Sequence, residues 1–201
     1  MNGSILKRVM GNQIQCYRRY RSLVLPLFLV SLTVGYPAIH LCTPMYGVTL
    51  REGITAFAGQ PRLISVTTTN NSIRAWSAVY YFTIELPEDA TESLKMLQIA
   101  QTEGFYVPRY ELERTKVFAG DRRNKGKSFT LEAVTHRDRT LTLTLEEPIP
   151  PGTTFTIGLY PLRNPHSTGV YLFGVTAFPQ GEKPQKAFLG FGRLHFYDFY
   201  F

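Results

Sequence analysis

Three stretches of this chain alternate their side chains with a period of two, and that rhythm leaves few folds open. Tyr80, Phe82, Ile84 and Leu86 alternate with Val79, Tyr81, Thr83 and Glu85. Leu141, Leu143 and Leu145 alternate with Thr140, Thr142 and Thr144, and Phe155, Ile157 and Leu159 with Thr154, Thr156 and Tyr160. Successive strand residues point to opposite faces, so each stretch is expected to bury one set and wet the other. Less regular runs at 62–68, 97–101, 129–134, 170–177 and 192–197 are also read as strands, being bounded by turn formers. Pro150-Pro151-Gly152, Asn164-Pro165 with Gly169, and Pro179-Gln180-Gly181 stand where hairpins would need turns. One short helix is expected over 88–95, with Asp89 as its cap, acids in its first turn and Lys95 late. Turn loops of varied length, without a repeat that would close a barrel, point to a single antiparallel β-sandwich, immunoglobulin-like or jelly-roll-like.

The amino-terminal segment stands apart from this pattern. Lys7, Arg8, Arg18, Arg19 and Arg21 precede an uncharged run from Leu23 to Val34. Basic-then-apolar is the pattern of a chain sent across a membrane. Twelve residues of helix rise about 18 Å, against a hydrocarbon core roughly 30 Å thick. The run therefore reads as a signal-peptide core, with an uncleaved membrane anchor or a lipidated Cys42 as alternatives. Candidate cuts lie after Ala38 or between Leu41 and Thr43, and Met10 is an alternative start. Residues 1–42 are read as leader and 43–201 as the sandwich domain, exported to the periplasm, thylakoid lumen or cell surface.

Setting the leader aside changes the bulk chemistry. The whole chain has 22 basic and 15 acidic residues, a net charge of +7. Five of the basic residues and none of the acidic ones lie in the leader, which leaves 17 against 15, a net of +2. A nucleic-acid partner calls for a basic domain, so none is expected. The only cysteines, Cys16 and Cys42, also fall in the leader. The domain must then be held by its core alone, for which about 159 residues suffice. Thiol nucleophiles and cysteine-bound zinc lose their residues, and no cofactor is expected.

The carboxy-terminal third carries a distinctive series of strings. It runs Pro151-Gly-Thr-Thr-Phe-Thr-Ile-Gly-Leu159, Arg163-Asn-Pro165, Gly169-Val-Tyr-Leu-Phe-Gly-Val-Thr-Ala-Phe-Pro179 and Phe188-Leu-Gly-Phe-Gly-Arg-Leu-His-Phe-Tyr197. Together with Tyr81-Phe-Thr-Ile-Glu-Leu-Pro-Glu-Asp-Ala90, it resembles an uncharacterised family of exported cyanobacterial proteins, a domain-of-unknown-function family. The resemblance runs from about Arg51 to Asp198. It implies an envelope or lumenal protein with a leader and a β-rich body, and supplies no reaction, ligand or catalytic residue.

Three groups of residues are candidates for binding. Arg193, His195 and Tyr197 share one face of the last strand, a row suited to a carboxylate, a phosphate or a sugar; a merely solvated strand face is the plainer reading. Arg122, Arg123, Lys125 and Lys127 lie in Gly120–Lys127, suited to an anionic partner or simply a solvated hairpin tip. The tail Phe199-Tyr200-Phe201 either folds back on the sandwich or inserts into a partner or membrane. The strand aromatics read mainly as core, although in an exposed plane they would stack on sugars. His136, His166 and His195 lack metal-ligand spacing. Glu146 and Glu147 point to opposite faces, and Glu111 and Glu113 sit beside Arg109 and Arg114, where surface ion pairs are expected. No enzyme is expected. The chain reads as a non-catalytic binding or structural module that docks a protein, with an envelope-polysaccharide module as alternative and a hydrolase as the remote one.

Overall fold

The computed structural model describes residues 49–50 and 53–198, with the backbone alone for 49–50. The leader, its candidate cuts, both cysteines and Phe199–Phe201 lie outside the described residues.

The alternation becomes two five-stranded antiparallel sheets packed as a sandwich. In chain order the strands are β1 (Thr49–Leu50), β2 (Ile54–Thr55), β3 (Arg62–Thr68), β4 (Tyr80–Leu86), β5 (Leu94–Glu103), β6 (Lys116–Gly120) and β7 (Lys125–Phe129). They continue as β8 (Leu131–Arg137), β9 (Thr140–Ile149), β10 (Thr153–Leu159), β11 (Gly169–Pro179), β12 (Lys183–Pro184) and β13 (Ala187–Phe196). The first sheet has the order β3-β4-β10-β6-β7 and the second β13-β11-β5-β9-β8. A small third sheet, β1-β2-β12, contains a parallel pairing of β2 with β12.

The core lies between the two large sheets. Tyr80, Phe82, Ile84 and Leu86 of β4 and Phe155, Ile157 and Leu159 of β10 face inward from the first sheet. Leu141, Leu143 and Leu145 of β9 meet them from the second, with Tyr171, Phe173 and Val175 of β11 and Leu194 and Phe196 of β13. Rings join the sheets: Phe82 packs edge-on against Phe173 at 5.7 Å, and Tyr80 lies 5.7 Å from Phe196. At roughly 2 kcal/mol for each large apolar side chain fully buried, this aromatic and aliphatic layer is a large stabilising contribution to the sandwich.

Four expectations need correction. The helix over 88–95 is a single 3-10 turn, Glu88–Ala90; Pro87 precedes it and no side chain caps it. Thr91 takes a left-handed φ of 61° and ends the turn. Leu94 already starts β5, so Lys95 reaches across the sheet to Glu132 at 3.0 Å. The run at 129–134 is two strands, because the chain leaves the first sheet at Phe129 and enters the second at Leu131. Pro150–Gly152 and the segment around Asn164–Gly169 are crossings between sheets instead of hairpin turns, since β9, β10 and β11 alternate between the two sheets. Lastly, both faces of β4 are covered: Tyr81 and Thr83 are only 8% and 7% exposed. The tip of the β6–β7 hairpin folds over them and sets the Arg122 guanidinium 5.6 Å from the Tyr81 ring. A further tight turn joins β8 to β9, with Asp138 at φ 54°.

One polar side chain ties the loops to the core. Asn164 is 1% exposed. Its Oδ1 accepts the Tyr80 hydroxyl at 2.9 Å, and its Nδ2 donates to the carbonyls of Asn70 at 2.9 Å and Ser72 at 2.8 Å. Removing a partner of this kind leaves buried groups unsatisfied, at about 1–3 kcal/mol each. Asn164→Ala is therefore expected to lower the unfolding free energy by about 3 kcal/mol. Urea denaturation followed by circular dichroism measures this; a loss under 1 kcal/mol would show that the tie is dispensable.

Candidate binding surfaces

The pairing registers bring four connections and the end of the last strand to one end of the sandwich. Leu159 pairs with Tyr80, Gly169 with Phe196, and Thr140 with Ala100 and Arg137. The β3–β4 loop (69–79), the β5–β6 connection (104–115), the β8–β9 turn (138–139), the β10–β11 crossing (160–168) and Tyr197 thus share what is called here the loop end.

These loops are held by backbone bonds. Ile73 N donates to Tyr197 O at 2.8 Å, Arg74 N to Pro165 O at 2.9 Å and Asn164 N to Ala75 O at 2.9 Å. Arg74 and Ser77 adopt φ values of 57° and 62° on either side of Trp76. Left-handed backbone at residues other than glycine costs roughly 1–3 kcal/mol and persists only where the surroundings over-determine it. Between them Trp76 is 66% exposed. Arg163 steadies it: the guanidinium lies 4.9 Å from the Trp76 ring, and Nε donates to Arg74 O at 2.9 Å.

A second aromatic is presented in a similar way. Phe105 is 96% exposed, the highest exposure among the large apolar side chains described. The residues around it are pinned. Gly104 has φ 114°, and any Cβ there would run into the Tyr171 ring. Its carbonyl accepts from Arg139 at 3.3 Å, while Tyr106 O accepts from Gln101 Nε2 at 2.9 Å. Tyr106 packs edge-on against His166 at 4.5 Å. Leu162 and Tyr197 are further exposed apolar side chains at this end.

The structure separates the residues nominated from sequence. Arg193 and His195 of β13, with Tyr197 just beyond its end, do share one outward face, opposite the buried Leu194 and Phe196. His195 and Tyr197 stack with ring planes 22° apart and centroids 6.0 Å apart. Arg122, Arg123, Lys125 and Lys127 lie on the other sheet. Lys125 sits over Phe118 at 5.3 Å, and Lys127 over Phe129 at 6.0 Å with Glu147 at 3.4 Å. Glu111 pairs with Arg114 at 2.7 Å, a surface ion pair of the kind expected there. Phe188 and Phe191 are exposed on the outer face of β13, but their planes are 68° apart and offer no common stacking platform. Trp76 and Phe105 were not foreseen. The signal available for each was a large aromatic amid turn formers, Asn70-Asn71-Ser72 before Trp76 and Gly104 before Phe105.

The titratable groups follow from burial and backbone geometry. Burial pushes the Tyr80, Tyr110 and Tyr171 phenols up, and lowers the His136 imidazole, which packs on Tyr110 at 5.3 Å. These groups stay neutral near pH 7. Asp121 is held below its usual range, first by the amide of Asn124 and then by that of Arg123, each donating to Oδ1 at 2.7 Å. Among the described residues, no three of His, Cys, Asp and Glu come together as metal ligands would.

Comparison with known proteins gives a family. Residues 54–196 match the model of the family described as "Protein of unknown function (DUF2808)", and the chain belongs to that family. No curated protein matches the sequence. Among solved structures, the chain is similar to BslA, described as a bacterial hydrophobin, at 14% identity and a TM-score of 0.44, over 72% of this chain and 98% of that one. It is also similar to the collagen-binding domain of a Staphylococcus aureus adhesin, at 10% identity and a TM-score of 0.35, over 65% and 95% of the two chains. A cohesin module of a Clostridium perfringens family 33 glycoside hydrolase matches at 10% identity and a TM-score of 0.36, over 72% and 99%.

Two outcomes test these surfaces. Arg163→Ala removes the brace under Trp76, a contact worth about 0.5–1 kcal/mol at an exposed site. Amide hydrogen exchange at Arg74 and Asn164, whose N–H groups donate to Pro165 O and Ala75 O, is expected to quicken while the global melt shifts little; unchanged exchange would remove the bracing role. For Asp121, a carboxyl lowered in the folded state stabilises above its unfolded pKa, and that contribution is lost as pH falls through the folded value. An NMR titration should place the Asp121 midpoint below its ordinary value of 3.8, with the Arg123 and Asn124 amide shifts moving together.

Proposed function

Taking membership of that family as the premise, we propose that the chain is an exported, non-catalytic binding module of the cell envelope or thylakoid lumen, docking a protein partner through its loop end. The observation that carries this reading is the pairing of exposure with rigidity. Trp76, Phe105 and Leu162 stand in water on loops whose backbones are pinned to each other and to the core. Binding hot spots are enriched in Trp, Tyr and Arg. A surface already fixed in its bound shape loses less conformational freedom on association. An unused aromatic of this size would ordinarily turn inward, and the positive φ values at Arg74 and Ser77 hold the loop in a course that leaves Trp76 outside. Export rests on the basic-then-apolar segment ahead of the domain, whether that segment is removed or kept as an anchor.

The test is co-purification from the native host with a tagged full-length chain. Trp76→Ala combined with Phe105→Ala is expected to lose the co-purifying proteins at least tenfold while circular dichroism and melting stay unchanged. Retention of the same proteins at wild-type yield would place the docking surface elsewhere or remove it.

A further inference from the structure

We propose that the outer face of the first sheet carries a second binding site, for an acidic sugar unit of a polysaccharide. A concavity of about 330 Å³ lies where the β6–β7 hairpin tip folds over the sheet. Ser65 and Thr67 of β3, Thr83 of β4, and Asp121, Arg122 and Arg123 of the tip line it. Its volume falls at the small end of ligand pockets, about 300–1,000 Å³.

The hydrogen-bond inventory identifies the ligand class. Thr156 Oγ1 donates its one hydrogen to Gly120 O at 2.7 Å. The hydrogen between Thr83 Oγ1 and Thr156 Oγ1, 3.0 Å apart, must then come from Thr83. Thr83 therefore offers only lone pairs to a ligand, and the Asp121 carboxylate likewise only accepts. The donors are the exposed Ser65 and Thr67 hydroxyls and the two guanidinium groups. Among the described residues, those hydroxyls make no hydrogen bond, and Arg122 and Arg123 make no ion pair. Arg122 is nevertheless held, its guanidinium 5.6 Å from the Tyr81 ring, and the planar fork of an arginine suits a carboxylate.

Three ligand classes meet this inventory differently. A bare anion satisfies the arginines but has no donors for Thr83 and is repelled by Asp121. A neutral sugar supplies donors and acceptors but leaves the Arg122 guanidinium without a counter-charge and Arg123 with only Asp121 nearby. A sugar bearing a carboxylate matches both halves, its hydroxyls donating to Thr83 and Asp121 and its carboxylate taking the arginines. Lys125, over Phe118 on the same hairpin, continues the cations along β7, as a neighbouring unit of a polymer would require. This site is on a different surface from the loop end and does not depend on the partner proposed there.

The experiment is isothermal titration of the full chain with oligogalacturonate, against dextran oligosaccharides of matched length, inorganic sulfate and vesicles of anionic lipid. Oligogalacturonate is expected to bind, and the other three to bind at least tenfold more weakly. Arg122→Gln with Arg123→Gln is expected to weaken binding tenfold or more, and Ser65→Ala with Thr67→Val, which alters exposed hydroxyls only, several-fold. Arg137→Gln, which removes one charge from the other sheet, should leave affinity within twofold. Absence of oligogalacturonate binding, equal binding of sulfate or dextran, stronger binding of the vesicles, or wild-type affinity in the double arginine variant would each overturn the proposal.

Discussion

The buried amide of Asn164 sets the order of the whole loop end. An amide carried into an apolar interior is costly unless its hydrogen bonds are remade, and here the protein remakes them with three partners at once. Two are backbone carbonyls of the β3–β4 loop, and the third is the Tyr80 hydroxyl. Tyr80 is also the ring at which the sheets meet, lying against Phe173 and Phe196. Asn164 thereby fixes one core ring and one surface loop from the same side chain. The course of the chain past Trp76 follows from that anchoring, since Ala75 O accepts from the Asn164 amide and Arg74 N donates to Pro165 O.

The two outer faces of the sandwich have been given different chemistry. The second sheet is open and mixed, with Gln98 between Thr142 and Thr176 in the central strands and the Phe188–Phe191 pair at the β13 edge. The first is partly roofed, because the β6–β7 hairpin is long enough to fold back over β4. Gly120 makes that return possible with a φ of 83°, where a Cβ would collide with the Asn124 carbonyl. Asp121 then collects two amides of the tip and fixes its shape. A charged loop that would ordinarily be a solvated tip is converted into one wall of a cavity.

Alternation made the sheets legible, and it failed where a residue obeyed tertiary rather than local rules. β4, β9 and β10 could be read because each has an inner set of apolar side chains in strict period. The inner sets do not say which sheet a strand joins, so the proline-rich segment at 150–152 looked like a hairpin although it carries the chain between layers. The run at 129–134 is continuous in composition, and only Thr130 marks the step from one sheet to the other. Glu88–Ala90 has helical chemistry, but three residues of it cannot outweigh the strand that Leu94 begins. Of the sites, the face shared by Arg193, His195 and Tyr197 followed from period alone. The exposure of Trp76 and Phe105 did not, because it depends on bonds from residues far away in the chain.

The placement of the strands also has a mechanical meaning. β2 enters at the end where β12 lies, away from the loop end, and β13 finishes at the loop end beside Asn71 and Ile73. A pull between the amino-terminal side and a ligand held at the loop end would run along the strands. Load in that direction shears many ladder bonds together, whereas load across a sheet opens them one at a time. A module tethered on one side and occupied on the other would therefore resist extension most strongly along the line on which it is pulled.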